Sequence, residues 1–161
     1  MKNSLQEKLS LRGDLQVEIR DAKTDKLLKR YSLRNQITYN GINSPIFLWS
    51  QDGITVTDYR IVTLAAGSGG VPPTKGDVAL NAPITNGTIA LTSSNRTQSP
   101  ATGELIITAQ WAAPSVIDGN TLVEAGLFLG NNTLFARQIH PSILKTSAIT
   151  VSYSWRIAGD A

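Results

Sequence analysis

The C-terminal end of the chain alternates apolar and polar side chains with a period of two, and this pattern constrains the fold most. Between residues 148 and 157 the apolar side chains are Ile149, Val151, Tyr153, Trp155 and Ile157. A period of two places neighbouring side chains on opposite faces of a β-strand, whereas a helix requires a period of 3.6. The segment is therefore predicted to be a strand with one face in a core.

Weaker versions of this pattern recur along the chain. Residues 14–20 and 27–33, separated by a turn, predict a β-hairpin. The further predicted strands are residues 59–65, 103–111, 121–129 and 133–139. Pro141 is expected to end the last of these strands or to place it at a sheet edge. Residues 67–77 are rich in Gly and Pro and predict a long loop.

One segment predicts a helix. Ser44 can cap it, Pro45 suits the first helical position and Gly53 can end it. Several short strands with a single short helix favour an all-β fold, since a parallel α/β fold needs several longer helices. The sequence therefore predicts an antiparallel β-sandwich or a jelly-roll-like barrel.

The chain of 161 residues suits one domain. Leu5, Leu9 and Leu11 lie in a polar setting, which predicts an arm over residues 1–13 that needs a surface to lie on. Residues 14–161 are then a single β-sandwich domain. No stretch approaches the roughly 18 apolar residues of a membrane span, and the polar start lacks a signal-peptide core. We therefore expect a protein that is made in a cytoplasm and has no membrane partner.

Basic residues are concentrated near the N-terminus. Residues 1–40 hold nine Lys and Arg against five Asp and Glu, a net charge of +4, whereas the remainder sums to −1. Arg12, Arg30 and Arg34 are thus expected to meet an acidic partner surface. The alternative is a solvated tail and hairpin. No basic–aromatic stripe is visible, so nucleic-acid binding is not expected.

The residues that carry catalysis are sparse. The chain has no Cys and one histidine, His140, and it contains no G-x-S-x-G motif. His140 is interpreted as a hydrogen-bonded surface or interface residue. The carboxylates are scattered over different predicted elements, with no spacing that suggests a metal cage or a glycosidase pair. We expect no catalytic residue, no cofactor and no metal, and hence no enzyme.

Glu124 stands out because it interrupts the apolar run 122–128. A buried carboxylate must be paired or hydrogen-bonded. Glu124 is therefore expected to meet Arg137 or Arg156, either within the sheet or across an interface. The alternative is that Glu124 points outward from an edge strand.

Three stretches together resemble small structural proteins of tailed-phage virions. The first is the glycine-rich segment 63–80 with its Asp-x-Ala-Leu ending, and the second is Leu122–Phe128 with its Glu-Ala-Gly-Leu-Phe pattern. The third is Leu134–Pro141, followed by Lys145-Thr and by Val-Ser-Tyr-Ser-Trp at residues 151–155. The resemblance covers about residues 60–157.

The resemblance implies a non-enzymatic β-sandwich of a capsid or tail, often homotrimeric when it decorates a capsid. We therefore expect a capsid decoration (cement) protein of the virion that binds the major capsid protein and bridges capsid subunits. The alternatives are a tail, baseplate or fibre-attachment component and a carbohydrate-binding adsorption module. A sugar-binding module requires exposed aromatics, whereas Trp111 and Trp155 occupy core-like positions. The candidate partner-binding residues are Leu5, Leu9, Leu11, Arg12, Arg30, Arg34, Glu124 and Arg137.

Overall fold

The computed structural model describes residues 11–43, 58–99 and 101–159, and this part of the chain holds nine β-strands. The strands are β1 (Leu11–Asp21), β2 (Leu27–Ile37), β3 (Ile61–Gly67), β4 (Pro83–Ala90), β5 (Arg96–Ser99), β6 (Glu104–Trp111), β7 (Thr121–Leu129), β8 (Leu134–Leu144) and β9 (Ile149–Gly159). A single 3₁₀ turn, Ser93–Asn95, precedes β5. The predicted all-β class is confirmed.

All neighbouring strands are antiparallel, in the order β4-β3-β7-β8-β2-β1-β9-β6-β5. β2 connects the two parts of this curled sheet. Its residues 27–35 pair with β1, and Gln36 and Ile37 pair with β8. We call the strands β5-β6-β9-β1-β2 half A and the strands β8-β7-β3-β4 half B. The two halves close on one core.

The core is built by the inward faces of the alternating strands. Tyr153 and Trp155 on β9 are completely buried. The ring of Tyr153 stacks on Trp155 at 6.3 Å and meets Trp111 of β6 edge-on at 5.4 Å. Such pairs stabilise beyond their buried area. The core positions expected for Trp111 and Trp155 are confirmed, and these rings are not available to a ligand.

The start of β1 and the presence of β4 and β5 differ from the sequence-based expectation. β1 begins at Leu11 rather than at residue 14, because Leu11 pairs with Gly159 and Gly13 pairs with Asn35. Residues 11–13, which were expected in the arm, are therefore strand. β4 and β5 were not predicted individually. Both lie at the ends of the sheet and are largely exposed, so their sequences lack the apolar alternation that reveals a half-buried strand.

Pro141 does not end its strand, since β8 continues through it to Leu144. The alternative that it lies at an edge agrees with the structure, because among the described residues β8 pairs beyond Arg137 with β7 alone. The ladder with β7 shifts there: Leu122 pairs with Ile143 and Glu124 pairs with Ile139. Pro141 therefore lies in a bulge, where the missing N–H costs no ladder hydrogen bond.

The segments between strands agree with the sequence-based predictions where the structure describes them. Residues 68–82 form a long irregular loop, as predicted, and residues 39–43 are helical. The helix predicted from Ser44 to Gly53 lies outside the described residues, as do Leu5 and Leu9 of the arm. Within the described ranges, no helix is long and apolar enough to cross a bilayer.

Candidate functional site

A buried ion pair joins β7 to β8. Glu124 is 0% exposed and Arg137 is 2% exposed, and Nε of Arg137 lies 2.7 Å from Oε2 of Glu124. The antiparallel register brings them together, because Gly126 of β7 pairs with Arg137 of β8. The predicted pairing of Glu124 with Arg137 is confirmed. Arg156, the other expected partner, instead pairs with Glu104 at the surface.

The remaining hydrogen bonds of this pair all go to the loop 68–82. Glu124 accepts the backbone N–H groups of Gly69, Asn81 and Ala82 at 2.7–3.3 Å. Arg137 donates to a carboxylate oxygen of Asp77 at 2.7 Å and to the carbonyl of Val71 at 2.8 Å. We call Glu124, Arg137 and Asp77 the loop cluster. It fixes a Gly- and Pro-rich segment that has no regular backbone bonding of its own.

Asp77 and Arg137 of the loop cluster are each stabilised in the charged form. Burial alone would raise the pKa of Asp77, but hydrogen bonds from Thr74 and the contact with Arg137 outweigh it and lower the pKa. Burial opposes the charge of Arg137, yet the two carboxylates outweigh it and raise the pKa of the guanidinium. These directions describe a structural salt bridge rather than a group poised to exchange protons.

Close approach requires glycine at three positions around the loop cluster. A Cβ at Gly67 or Gly69 would lie 2.5 or 2.6 Å from Oε1 of Glu124. A Cβ at Gly126 would lie 2.8 Å from Leu80. Parts of the three stretches that carry the resemblance meet at one place in the fold, since residues 63–80, 122–128 and 134–141 each supply part of the loop cluster and its packing. Lys145 and residues 151–155 lie elsewhere.

A second buried ion pair was missed from the sequence. Nζ of the completely buried Lys145 donates to Asp118 at 2.7 Å and to the carbonyl of Thr146 at 2.9 Å. The hydrogen bond from Lys145, followed by that from the Ser115 N–H, lowers the pKa of Asp118. The bridge holds the β6–β7 loop against the end of β8. A Lys just after an apolar strand was the available signal, but its partner is 27 residues away.

His140 is hydrogen-bonded, as expected, but its placement at the surface is wrong because it is buried beside Tyr153. Nδ1 lies 2.9 Å from the carbonyl of Pro141, which can only accept, so Nδ1 carries the proton. Nε2 then accepts the hydroxyl of Tyr153 at 2.8 Å. Burial lowers the pKa of His140 despite the Pro141 carbonyl, and burial raises the pKa of Tyr153.

Stability is expected to fall as the pH drops below about 6.5, the ordinary pKa of His. Between that value and the lowered pKa in the fold, the unfolded chain binds more protons, so acid favours unfolding. The slope is at most about 1.4 kcal/mol per pH unit for one proton. Urea unfolding of the wild type and His140→Gln from pH 5 to 8 measures it. The variant should lose the slope, and an unchanged slope would contradict the assignment to His140.

The predicted basic residues of the hairpin lie on half A. Arg12, Arg30 and Arg34 are exposed on its outer face, and Arg30 pairs with Glu18 at 2.7 Å. Leu11 is half-buried at the start of β1. Glu124 and Arg137 lie instead on β7 and β8 of half B, and both are buried. The candidate residues therefore form two separate sets, one exposed and one buried.

Exposed valines flank both buried ion pairs. Val71, whose carbonyl is held by Arg137, is 52% exposed, and Val78, adjacent to Asp77, is 71% exposed. Val116 is 77% exposed and lies two residues before Asp118. Each ion pair thus fixes a loop that presents an apolar side chain to solvent. Fixed apolar side chains lose little entropy when a partner covers them.

Across residues 11–43, 58–99 and 101–159, no three His, Asp or Glu side chains are grouped in a way that could hold a metal ion. The buried titratable groups of this part are engaged in loop fixation or core packing. Comparison with protein-family models, with curated proteins and with solved structures finds no match to this chain.

Proposed function

We propose that this chain is a non-enzymatic structural protein of a tailed-phage virion, and that it decorates the capsid and stabilises the head by bridging capsid subunits. The observation that carries the proposal is the use of buried ion pairs to fix loops bearing exposed valines. Such pre-organised loops suit a protein that acts by docking on neighbours, because little ordering remains to oppose binding.

The resemblance supplies the virion context, and the structure supports it at one point. Residues 63–80, 122–128 and 134–141 of the resembling stretches meet at the loop cluster, so this part of the pattern has a role in loop fixation. The exposed arginines of half A add a second contact surface for an acidic neighbour. A homotrimer is the proposed assembly, and light scattering coupled to size-exclusion chromatography would measure it.

Copy number tests the proposal. Purified particles of the phage whose genome encodes this chain should contain the protein at a simple ratio to the major capsid protein. Quantitative mass spectrometry measures this ratio. A few dozen copies or fewer would place the chain in the tail or baseplate instead. Complete absence from particles would contradict the virion proposal and favour an adsorption module, which a glycan-binding assay would detect.

Deletion of residues 1–10 is expected to abolish attachment to particles and to leave the β-sheet folded. The described strands begin at Leu11, so the deletion leaves every described strand intact. Circular dichroism checks the fold, and co-sedimentation with particles lacking the protein measures attachment. The matched control is Leu5→Ser/Leu9→Ser, which keeps the arm's length and charge and should weaken attachment. Undiminished co-sedimentation of the truncated protein would refute the role of the arm.

A further inference from the structure

One edge of β2 is largely unpaired. β2 pairs with β1 from Leu27 to Asn35, but on its other side it meets β8 only at Gln36 and Ile37. Alternate residues of an antiparallel strand direct their backbone N–H and C=O groups to either side. In the part of the chain that the structure describes, residues 28–34 have no strand on the β8 side. Their backbone groups on that side are open to an added strand.

The other open edges are poorer templates. Beyond Arg137, β8 pairs only with β7 in the described part of the chain, but this stretch contains Pro141 and a bulge. β5 has only four residues, and β4 begins at Pro83 and carries Asn86 in the left-handed region at φ 60°. Proline, short length and irregular backbone are the usual means of blocking an edge. Residues 28–34 contain neither Pro nor Gly, so β2 offers the longest regular open edge.

The side chains on this edge indicate which residues a partner strand would need. Arg30 and Arg34 point outward, and with Lys29 they give residues 28–34 three cations and no carboxylate. On the inward face Tyr31 and Leu33 are only half-buried, where they pack at the margin of the core. An added strand would have to place carboxylates beside the arginines and apolar side chains over Tyr31 and Leu33.

We propose that the free edge of β2 binds an extended segment of a different protein, in which acidic and apolar residues alternate. The backbone of the segment pairs with residues 28–34, its carboxylates face Arg30 and Arg34, and its apolar side chains complete the core margin. This inference does not depend on the virion proposal, because any partner with that alternation satisfies it.

The charge pattern also selects against a second copy. Antiparallel pairing of two β2 edges centred on Ser32 would place Arg30 of each copy opposite Arg34 of the other, and like charges that face each other across strands are destabilising. The chain's own arm is a poorer match to the arginines for a related reason. Residues 1–10 hold Lys2 and Lys8 against a single acid, Glu7, so the arm is itself basic.

Peptide binding to the full chain tests the proposal. The probe is a fluorescent peptide that alternates Val and Glu over about seven residues, a typical strand length. It should bind at least about tenfold more tightly than its Lys-for-Glu counterpart and than a version N-methylated at alternate amides. Hydrogen exchange should slow within residues 28–34 and not in β4 or β5. No binding, or protection at another edge, would overturn the proposal.

Matched variants distinguish strand addition at the β2 edge from a general effect of protein charge on peptide binding. Arg34→Glu, on the exposed edge, should weaken the Glu peptide about tenfold and shift preference to the Lys peptide. Arg12→Glu makes the same charge change on the same face of β1, away from the edge, and should change the affinity much less. Equal losses in the two variants would overturn the strand-addition register. A concentration-dependent dimer that protects residues 28–34 would show that a second copy is the occupant and would also overturn the proposal.

Discussion

Replacement of Arg137 by Met is expected to lower the free energy of unfolding by about 3–5 kcal/mol, the usual cost of removing one partner of a buried ion pair. Met keeps most of the side-chain volume but leaves the carboxylate of Glu124 buried without its cation. It also removes the hydrogen bonds to Asp77 and to the Val71 carbonyl. Urea unfolding measures the change, and hydrogen exchange should quicken at Gly69.

The double variant Glu124→Gln/Arg137→Met tests this explanation. Gln keeps an acceptor oxygen for the loop amides and carries no charge, so the double variant should be more stable than Arg137→Met alone. Arg156→Met is the matched control, because Arg156 forms an exposed pair with Glu104 and such pairs contribute little. Destabilisation of the double variant equal to the sum of both single changes would argue against coupling between Glu124 and Arg137.

Trp155→Ala is the second change with a large expected effect, about 3–5 kcal/mol of destabilisation. Trp155 is completely buried in the aromatic cluster, and its Nε1 has no hydrogen-bond partner in the described part of the chain. The cost is therefore one of packing: the substitution removes apolar contacts and leaves a cavity that the strands of half A cannot close. Chemical unfolding followed by circular dichroism measures it.

Ser154→Ala provides the control for Trp155→Ala. Ser154 precedes Trp155 on β9, points to the opposite face and is only half-buried. The change should alter stability by less than about 0.5 kcal/mol, as is usual for substitutions away from the core. If Trp155→Ala cost no more than Ser154→Ala, the assignment of the inward face of β9 would be wrong.

The sequence predicts the β-strands that have one face in the core, because burial of one face imposes the period of two. β1, β6 and β9 show this clearly. β4 and β5 escape prediction because they are largely exposed, which removes the pattern. The passage of β8 through Pro141 escapes prediction for a different reason: a bulge that tolerates proline is a property of the strand pair, not of either strand alone.

The buried ion pairs also show how far local sequence pattern predicts a site. Glu124 is recognisable because a carboxylate inside an apolar run needs a partner, and Arg137 was one of two possible choices. Asp77 and Asp118 lie in loops, where a carboxylate is unremarkable, and their partners lie 60 and 27 residues away. His140 follows a half-exposed stretch of β8, so its burial against Tyr153 depends on how half B closes over half A. Long-range placement of this kind is set by tertiary packing, which local pattern does not encode.

The position of β1 inside half A has a mechanical consequence. β1 is held on one side by eleven register pairs with β9 and on the other by eight pairs with β2. If the segment before Leu11 is tethered to a surface, a pull on it runs along β1 and loads both ladders in shear. Backbone bonds in shear share the load and must yield together, whereas bonds at a peeled edge yield one at a time. Tension applied at Leu11 is therefore resisted by both flanking ladders together.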